Sequence, residues 1–365
     1  MYKKFWQGGL NMPTINMLSA ADKVKGQGVG SAYLEQLDLV KGGLGEDYNI
    51  EVNQLKCADI MHYHTINLSY YLTLPLAKAK KSVTVGSVHF LPETVDGSLK
   101  LPSTATHVFY KYIIEFYKSM DYLVTVNPNF IDKLEAYGIP RSKVAYIPNF
   151  VSKEKFYKMD EVQKQELRKA YDIPDNRFVV LCAGQLQLRK GVFEFVEIAK
   201  AMPEVEFLWA GGFSFGNITS GYKEVKELLD HPPKNVRFLG IVERDKMNEL
   251  YNIADLMFLP SYNELFPMII LEAMNCNTPI LLRDLDVYPN ILFDYYMKGN
   301  TNEEFIDHIK RLQEDKAYRE KYQEKSKEGS EFYSREHILS MWKEFYAGIL
   351  CTNKKVLLAS GELTT

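Results

Sequence analysis

No stretch of this 365-residue sequence stays apolar for the roughly 18 residues a bilayer-spanning helix needs, so no such helix is expected. Cysteine is scarce. Cys57, Cys182, Cys276 and Cys351 lie far apart, which excludes close-spaced metal or redox pairs and fits buried thiols in a reducing compartment. There are no internal repeats or low-complexity tracts. A strong charge of either sign is also missing: the formal net charge is −3, so charge does not mark the chain as a nucleic-acid binder. Residues 1–165 carry a net +3 and the remainder −6, leaving only a modestly basic first half that could face anionic lipid. The Gly-x-Gly-x-x-Gly spacing of a dinucleotide turn is absent near the N-terminus, which counts against a nicotinamide cofactor.

What is present is a regular alternation of short β-rich runs with helical stretches. Strands are expected at Ile15–Leu18, Asp59–His64, Ser82–His89, Tyr122–Val126 and Val144–Ile147. A second series follows at Phe178–Cys182, Phe207–Ala210, Val236–Leu239, Leu256–Leu259 and Pro279–Leu282. Alternating strands and helices imply parallel sheets covered by helices, and the length suits two such domains. The polar segment Val151–Asp175 reads as their connection, Asn302–Phe332 as a solvated helical run, and Glu336–Ile349 as a helix able to pack back on the first domain. Ligands of such sheets bind at the carboxyl ends of the strands, and every notable motif falls there.

The segment Pro260–Pro279, PSYNELFPMIILEAMNCNTP, spaces Glu264 and Glu272 eight residues apart. With a helix opening at Phe266, Glu264 lies in the preceding loop. Glu272 lies inside the helix, where a carboxylate needs hydroxyl or N–H partners such as a ribose diol. A surface Glu and a helix-face Glu without a role are the plainer reading. The loop Gly184–Gly191, GQLQLRKG, follows a strand directly; alone it is also consistent with a lysine-capped loop. Lys25–Gly30, KGQGVG, sits between the first strand and a helix, and its Gly28 and Gly30 allow close backbone approach to a ligand. His62 and His64 alternate on one strand face without a third metal ligand of fitting spacing, which leaves strand-end packing or acceptor contact. His89 ends a strand. In His107–Met120, Phe109, Tyr112, Ile113, Phe116 and Tyr117 form one stripe opposite Lys111 and Lys118; the helix is either buried or lies in a membrane interface.

Pro260–Pro279 resembles the E-x7-E signature of the GT4 family of retaining glycosyltransferases, which share the GT-B fold. The resemblance gives Glu264 the donor sugar, Glu272 the ribose hydroxyls, and the backbone amides of Leu265 and Phe266 the phosphates. GQLQLRKG is similar to the family's G-R-L-x-x-x-K-G loop, with Lys190 at the lysine and Gln185 where arginine is usual. Asn277 and Pro267 also replace customary glycines. His89 matches a histidine placed under the donor sugar, and Gly28 and Gly30 match the N-terminal glycine loop.

The resemblance thus implies an α/β, two-domain GT-B enzyme with catalytic Glu264, Lys190 and His89. It implies an N-terminal acceptor- and membrane-facing domain at 1–160, joined by a helix at about 336–350, and a nucleotide-sugar domain at 161–335. The narrower likeness is to bacterial glycosyltransferases that extend glucosyl-diacylglycerol. It implies glucose or galactose transfer from a UDP-sugar to a glycolipid, without a metal or other cofactor. Contacts to acceptor or anionic membrane are expected at His62, His64, Phe109, Lys111, Ile113, Phe116 and Lys118. No nucleic-acid partner is expected. Residues Met1–Asn11 lack the apolar core of a signal peptide, so the expected location is cytoplasmic, peripheral on the inner membrane face. The alternatives are a soluble glycan or glycoprotein acceptor, and a catalytically degenerate GT-B protein that binds glycan or assists a partner.

Overall fold

The computed structural model describes residues 12–21, 28–95, 103–213 and 221–359. The first domain runs β1 (Thr14–Leu18), α1 (Gly28–Leu44), β2 (Asn49–Val52), β3 (Ile60–Tyr63), α2 (Leu68–Tyr71), α3 (Leu74–Ala79) and β4 (Val83–Val88). It continues with α4 (Pro92–Val95), α5 (Ser103–Lys118), β5 (Tyr122–Thr125), α6 (Asn129–Ala136) and β6 (Val144–Tyr146). These strands form one sheet in the order β2-β1-β3-β4-β5-β6, with every pairing parallel.

The second domain runs α7 (Glu161–Ala170), β7 (Phe178–Ala183), α8 (Val192–Ala201), β8 (Val205–Ala210), α9 (Tyr222–Asp230), β9 (Val236–Gly240) and α10 (Arg244–Ile253). Then come β10 (Leu256–Leu259), α11 (Met268–Asn275), β11 (Ile280–Arg283), α12 (Pro289–Leu292), β12 (Met297–Gly299), α13 (Asn302–Glu314), α14 (Lys316–Phe332) and α15 (Arg335–Ala359). Its sheet order is β12-β11-β10-β7-β8-β9, again parallel.

Strands such as β4, β7 and β10 are buried at every position. This is why β7 and β10, FVVLCA and LMFL, read as unbroken apolar runs rather than alternating ones. The two strands with no counterpart in the sequence reading, β2 and β12, each lie at one edge of a sheet, and β6 and β9 lie at the other edges. The run Asn302–Phe332 is two helices. Asp315 has an extended backbone, and its carboxylate caps the next helix by accepting from Tyr318 N, as short acidic side chains do at helix starts.

In the first sheet the chain reverses direction beside β1, and in the second it reverses between β7 and β10. These are the switch points where parallel sheets open a crevice. The long α15 crosses back to the first domain. Leu339 packs where a Cβ on Gly43 would lie within 2.3 Å of it, Lys343 pairs with Asp47 at 2.6 Å, and Tyr346 reaches the buried His62.

Candidate active site

The β7–α8 and β10–α11 loops sit side by side at the second sheet's switch point. Gly191 makes this possible. Its φ is +73°, and a Cβ there would meet Pro260 O at 2.6 Å, so only glycine fits both the backbone and the space. Tyr262 N donates to Arg189 O at 2.8 Å across the same seam. The result brings the Lys190 ammonium onto the Glu264 carboxylate as an ion pair. Their side chains are only 11 % and 7 % exposed. A cation and a carboxylate so withdrawn from water interact more strongly than a surface pair.

Around this pair lie Cys182, whose thiol burial pushes upward, and Tyr288. Burial first, and the Glu264 carboxylate second, keep the Tyr288 phenol un-ionised. Its hydroxyl has no partner among the described residues. Gln185 does not restore the usual positive charge; its Oε1 accepts from Gln187 Nε2 at 2.7 Å. Arg189 extends the chain, donating to Gln187 Oε1 (2.8 Å) and to the carbonyl of Asn263 (3.1 Å), the residue before Glu264. Arg189 lies in the single 3-10 turn Leu188–Lys190.

Helix α11 begins at Met268, with Pro267 at the capping position and extended. Leu265 and Phe266 therefore lie in the loop before the helix, not in its first turn. Glu272, 3 % exposed, accepts from Arg244 Nη1 at 2.8 Å and from Tyr251 Oη at 2.7 Å. Arg244 also donates to Glu35 Oε1 of the first domain at 3.0 Å, and Lys155 joins that carboxylate at 3.2 Å. Glu272 is thus one end of an inter-domain ion network whose carboxylates are buried and whose cations are partly exposed. Burial raises its carboxyl and Arg244 opposes the shift.

On the first-domain side, His62 and His64 stack at 4.0 Å between ring centroids. Hydrogen bonds link Tyr346 Oη to His62 Nδ1 (2.8 Å), His62 Nε2 to Ser87 Oγ (3.0 Å), and Ser87 Oγ to His64 Nδ1 (3.2 Å). His62 is therefore a packing residue that docks α15. His89 borders a cavity of about 20 Å³ with Ser87, Asn149 and Trp342. The Nε2 atoms of His64 and His89 are buried with no partner among the described residues. Burial lowers His62 to about 3 and His89 to about 4, and His64 well below its ordinary value, so all three are neutral near pH 7. Among the described residues no group of three or more His, Cys, Asp or Glu is placed to hold a metal ion.

Gly28 and Gly30 fall in the first turn of α1; Lys25–Gln27 lie outside the described residues. The aromatic helix α5 is mostly a core element. Ile113 and Phe116 are fully buried, which removes them from any lipid-facing role, because an apolar stripe already packed against a sheet has no surface left to insert. Phe109 is half-buried, while Lys111 and Lys118 are exposed. Among the described residues, no helix is long and apolar enough to cross a membrane.

The geometry meets its counterparts in known proteins. Residues 163–329 match the model for glycosyl transferases group 1, and residues 52–155 that for glycosyltransferase family 4. Over 91 % of its length the chain is 46 % identical to an alpha-galactosylglucosyldiacylglycerol synthase of Streptococcus pneumoniae, covering 88 % of that protein. It belongs to the GT4-like group 1 glycosyltransferases. A processive diacylglycerol alpha-glucosyltransferase of Acholeplasma laidlawii is 28 % identical over 79 % of the chain and 84 % of the relative. The fold matches HepE of Anabaena in complex with UDP-glucose, with a TM-score of 0.74 and 15 % identity over 92 % of this chain and all of that one. It matches sucrose-phosphate synthase of Thermosynechococcus elongatus with a TM-score of 0.77 and 15 % identity over 93 % and 100 %. The glycosyltransferase is thus a GT-B enzyme, and its switch-point crevice is the candidate donor site.

Residues outside the motifs also shape the site. Asn127, Asn149, Arg244, Tyr251 and Tyr288 went unnoticed in the sequence. The signal available for two of them was an asparagine beside a proline just past an apolar strand, in VNPN and IPNF. That pattern reads as a turn.

Proposed function

We propose that this glycosyltransferase moves a hexose, galactose or glucose, from a UDP-sugar to a glucosyl-diacylglycerol, with retention at the anomeric carbon. The observation that carries the acceptor class is the 46 % identity, along nearly the whole chain, to a synthase named for a galactosylglucosyl lipid. The site chemistry is consistent with it. The diphosphate gains charge as it leaves, and fixed positive groups at that point stabilise the transition state. Lys190, held by Glu264, and the N–H groups of Leu265 and Phe266 supply that field without a metal. Glu272 takes the ribose diol, and neutral His89 contacts the donor sugar. The acceptor hydroxyl then attacks from the face the diphosphate leaves.

A lipid acceptor requires a membrane-facing surface, and the first domain offers one beside α5 rather than on its apolar stripe. Leu68, Leu72 and Leu76 of α2–α3 are 62 %, 70 % and 53 % exposed at four-residue intervals. Lys78, Lys80 and Lys81 follow, also exposed, and no acidic residue occurs from Ile60 to Pro92. Leucines beneath a cluster of lysines match an anionic bilayer surface, where each lysine contributes about 1 kcal/mol. Enzymatic assay with UDP-glucose and UDP-galactose, on vesicles containing either glucosyl-diacylglycerol or diacylglycerol alone, tests the reading. A lipid heavier by one hexose should form only with the glucosylated acceptor. Donor turnover on a soluble glycan but on neither lipid would refute it.

A further inference from the structure

The signature loop is gripped from the other domain. Asn127, two residues past β5 and fully buried, donates from Nδ2 to the carbonyls of Leu265 (3.0 Å) and Val287 (3.1 Å). Its Oδ1 accepts from Asn129 N at 3.0 Å, so the amide is held against flipping and its two N–H groups face the second domain. Leu265 follows Glu264, and Val287 precedes Tyr288, the phenol beside Glu264. One side chain therefore ties together the two loops that flank the buried carboxylate. Asn149 adds a bond to the Phe266 carbonyl at 3.0 Å.

The consequence lies in peptide geometry. The carbonyl of Leu265 and the N–H of Phe266 belong to one planar trans unit and point in opposite directions. Holding that carbonyl toward Asn127 turns the Phe266 N–H away from it. That N–H has no acceptor among the described residues, and the next residue, Pro267, has no N–H to offer.

We propose that Asn127 is a positioning residue for the donor: by gripping the Leu265 and Val287 carbonyls across the cleft, it aims the Phe266 N–H at the diphosphate and makes donor binding depend on the two domains being docked. The proposal rests on the reading of the crevice as a UDP-sugar site. No other side chain of this size offers two N–H donors in one plane. An aspartate has the same shape but would set lone pairs against two carbonyl oxygens.

The test is calorimetry of UDP binding to the wild type, Asn127→Asp, Asn127→Ser and Asn129→Asp, with a melting curve and kcat and KM for the sugar nucleotide on each. Asn129 grips only the Asp286 carbonyl and the Asn290 side chain in the same contact, so it controls for loss of inter-domain bonds in general. Asn127→Asp and Asn127→Ser should weaken UDP binding and raise KM about tenfold, as expected for losing an oriented hydrogen bond to a charged group, whereas Asn129→Asp should stay within about threefold of wild type. If Asn127→Asp does not fold, Asn127→Ser, too short to reach both carbonyls, decides. Unchanged UDP affinity in the folded Asn127 variants, with wild type binding UDP, overturns the positioning role alone. Equal losses in the Asn127 and Asn129 variants overturn it in favour of general domain docking. Absence of UDP binding by wild type overturns the donor reading and this role together.

Discussion

At the residue scale the candidate active site brings together two charges largely withdrawn from water. Lys190 and Glu264 come from different loops and meet only because Gly191 lets Pro260 approach. The motif spacings in the sequence singled out both residues, since each follows a strand at a fixed offset. Their ion pair was not legible, because it depends on how two loops distant in sequence pack. If Lys190 acts on the departing diphosphate, Lys190→Ala should lower turnover at saturating donor by roughly ten- to a hundredfold, with a smaller change in KM. Equal turnover in both proteins would remove that role. Gln185 is the counter-example, a residue whose departure from the family pattern the sequence exposed. Among the described residues it bonds Gln187, and Arg189, next to Asn263, is a cation close to Lys190.

At the element scale, the strongly apolar strands were legible because both faces of a parallel sheet are covered. Strands β2 and β12 were not: NIEV is nowhere fully buried, and MKG spans only three residues. Helix α5 shows the limit of periodicity. Its aromatic stripe fits a core and an interface equally, and only the sheet beneath it decides for the core. The lipid-facing surface proposed above is the exposed leucine and lysine patch of α2–α3. Changing Leu68, Leu72 and Leu76 to Ser should therefore reduce co-sedimentation with both neutral and anionic vesicles, while the melting temperature stays near wild type, because these side chains are exposed. Changing Lys78, Lys80 and Lys81 to Glu should reduce binding to anionic vesicles only, and added salt should mimic it. Sedimentation unaffected by both sets would rule out this surface.

Across the whole molecule, the two domains are joined by an ion network, an asparagine clamp and a returning helix. The docking of α15 relies on His62 remaining neutral. The unfolded chain binds protons to these histidines near pH 6.5, whereas the folded chain resists until about 3 for His62 and about 4 for His89. Folding is therefore favoured above about pH 6.5 and weakens as the pH falls toward 3, by up to about 1.4 kcal/mol per pH unit for each histidine still neutral in the fold. Denaturant midpoints measured from pH 7 to pH 4 should fall steeply, and less steeply in a folded His62→Gln protein; parallel curves would contradict this.

The two-domain division and the crevice were legible because strands and helices alternate in two successive series along the chain. The inter-domain contacts were not, because asparagines in turns and charges on helices look alike whether they face water or another domain. The central claim is hexose transfer with retention to a glycolipid, and the most direct measurement is the proton NMR spectrum of the lipid first formed from a UDP-α-hexose and glucosyl-diacylglycerol. The account predicts a diglycosyl lipid whose new linkage shows the small anomeric coupling of an α-glycoside. A large coupling, marking a β-linkage, or UDP release with no sugar added to the lipid, would contradict it.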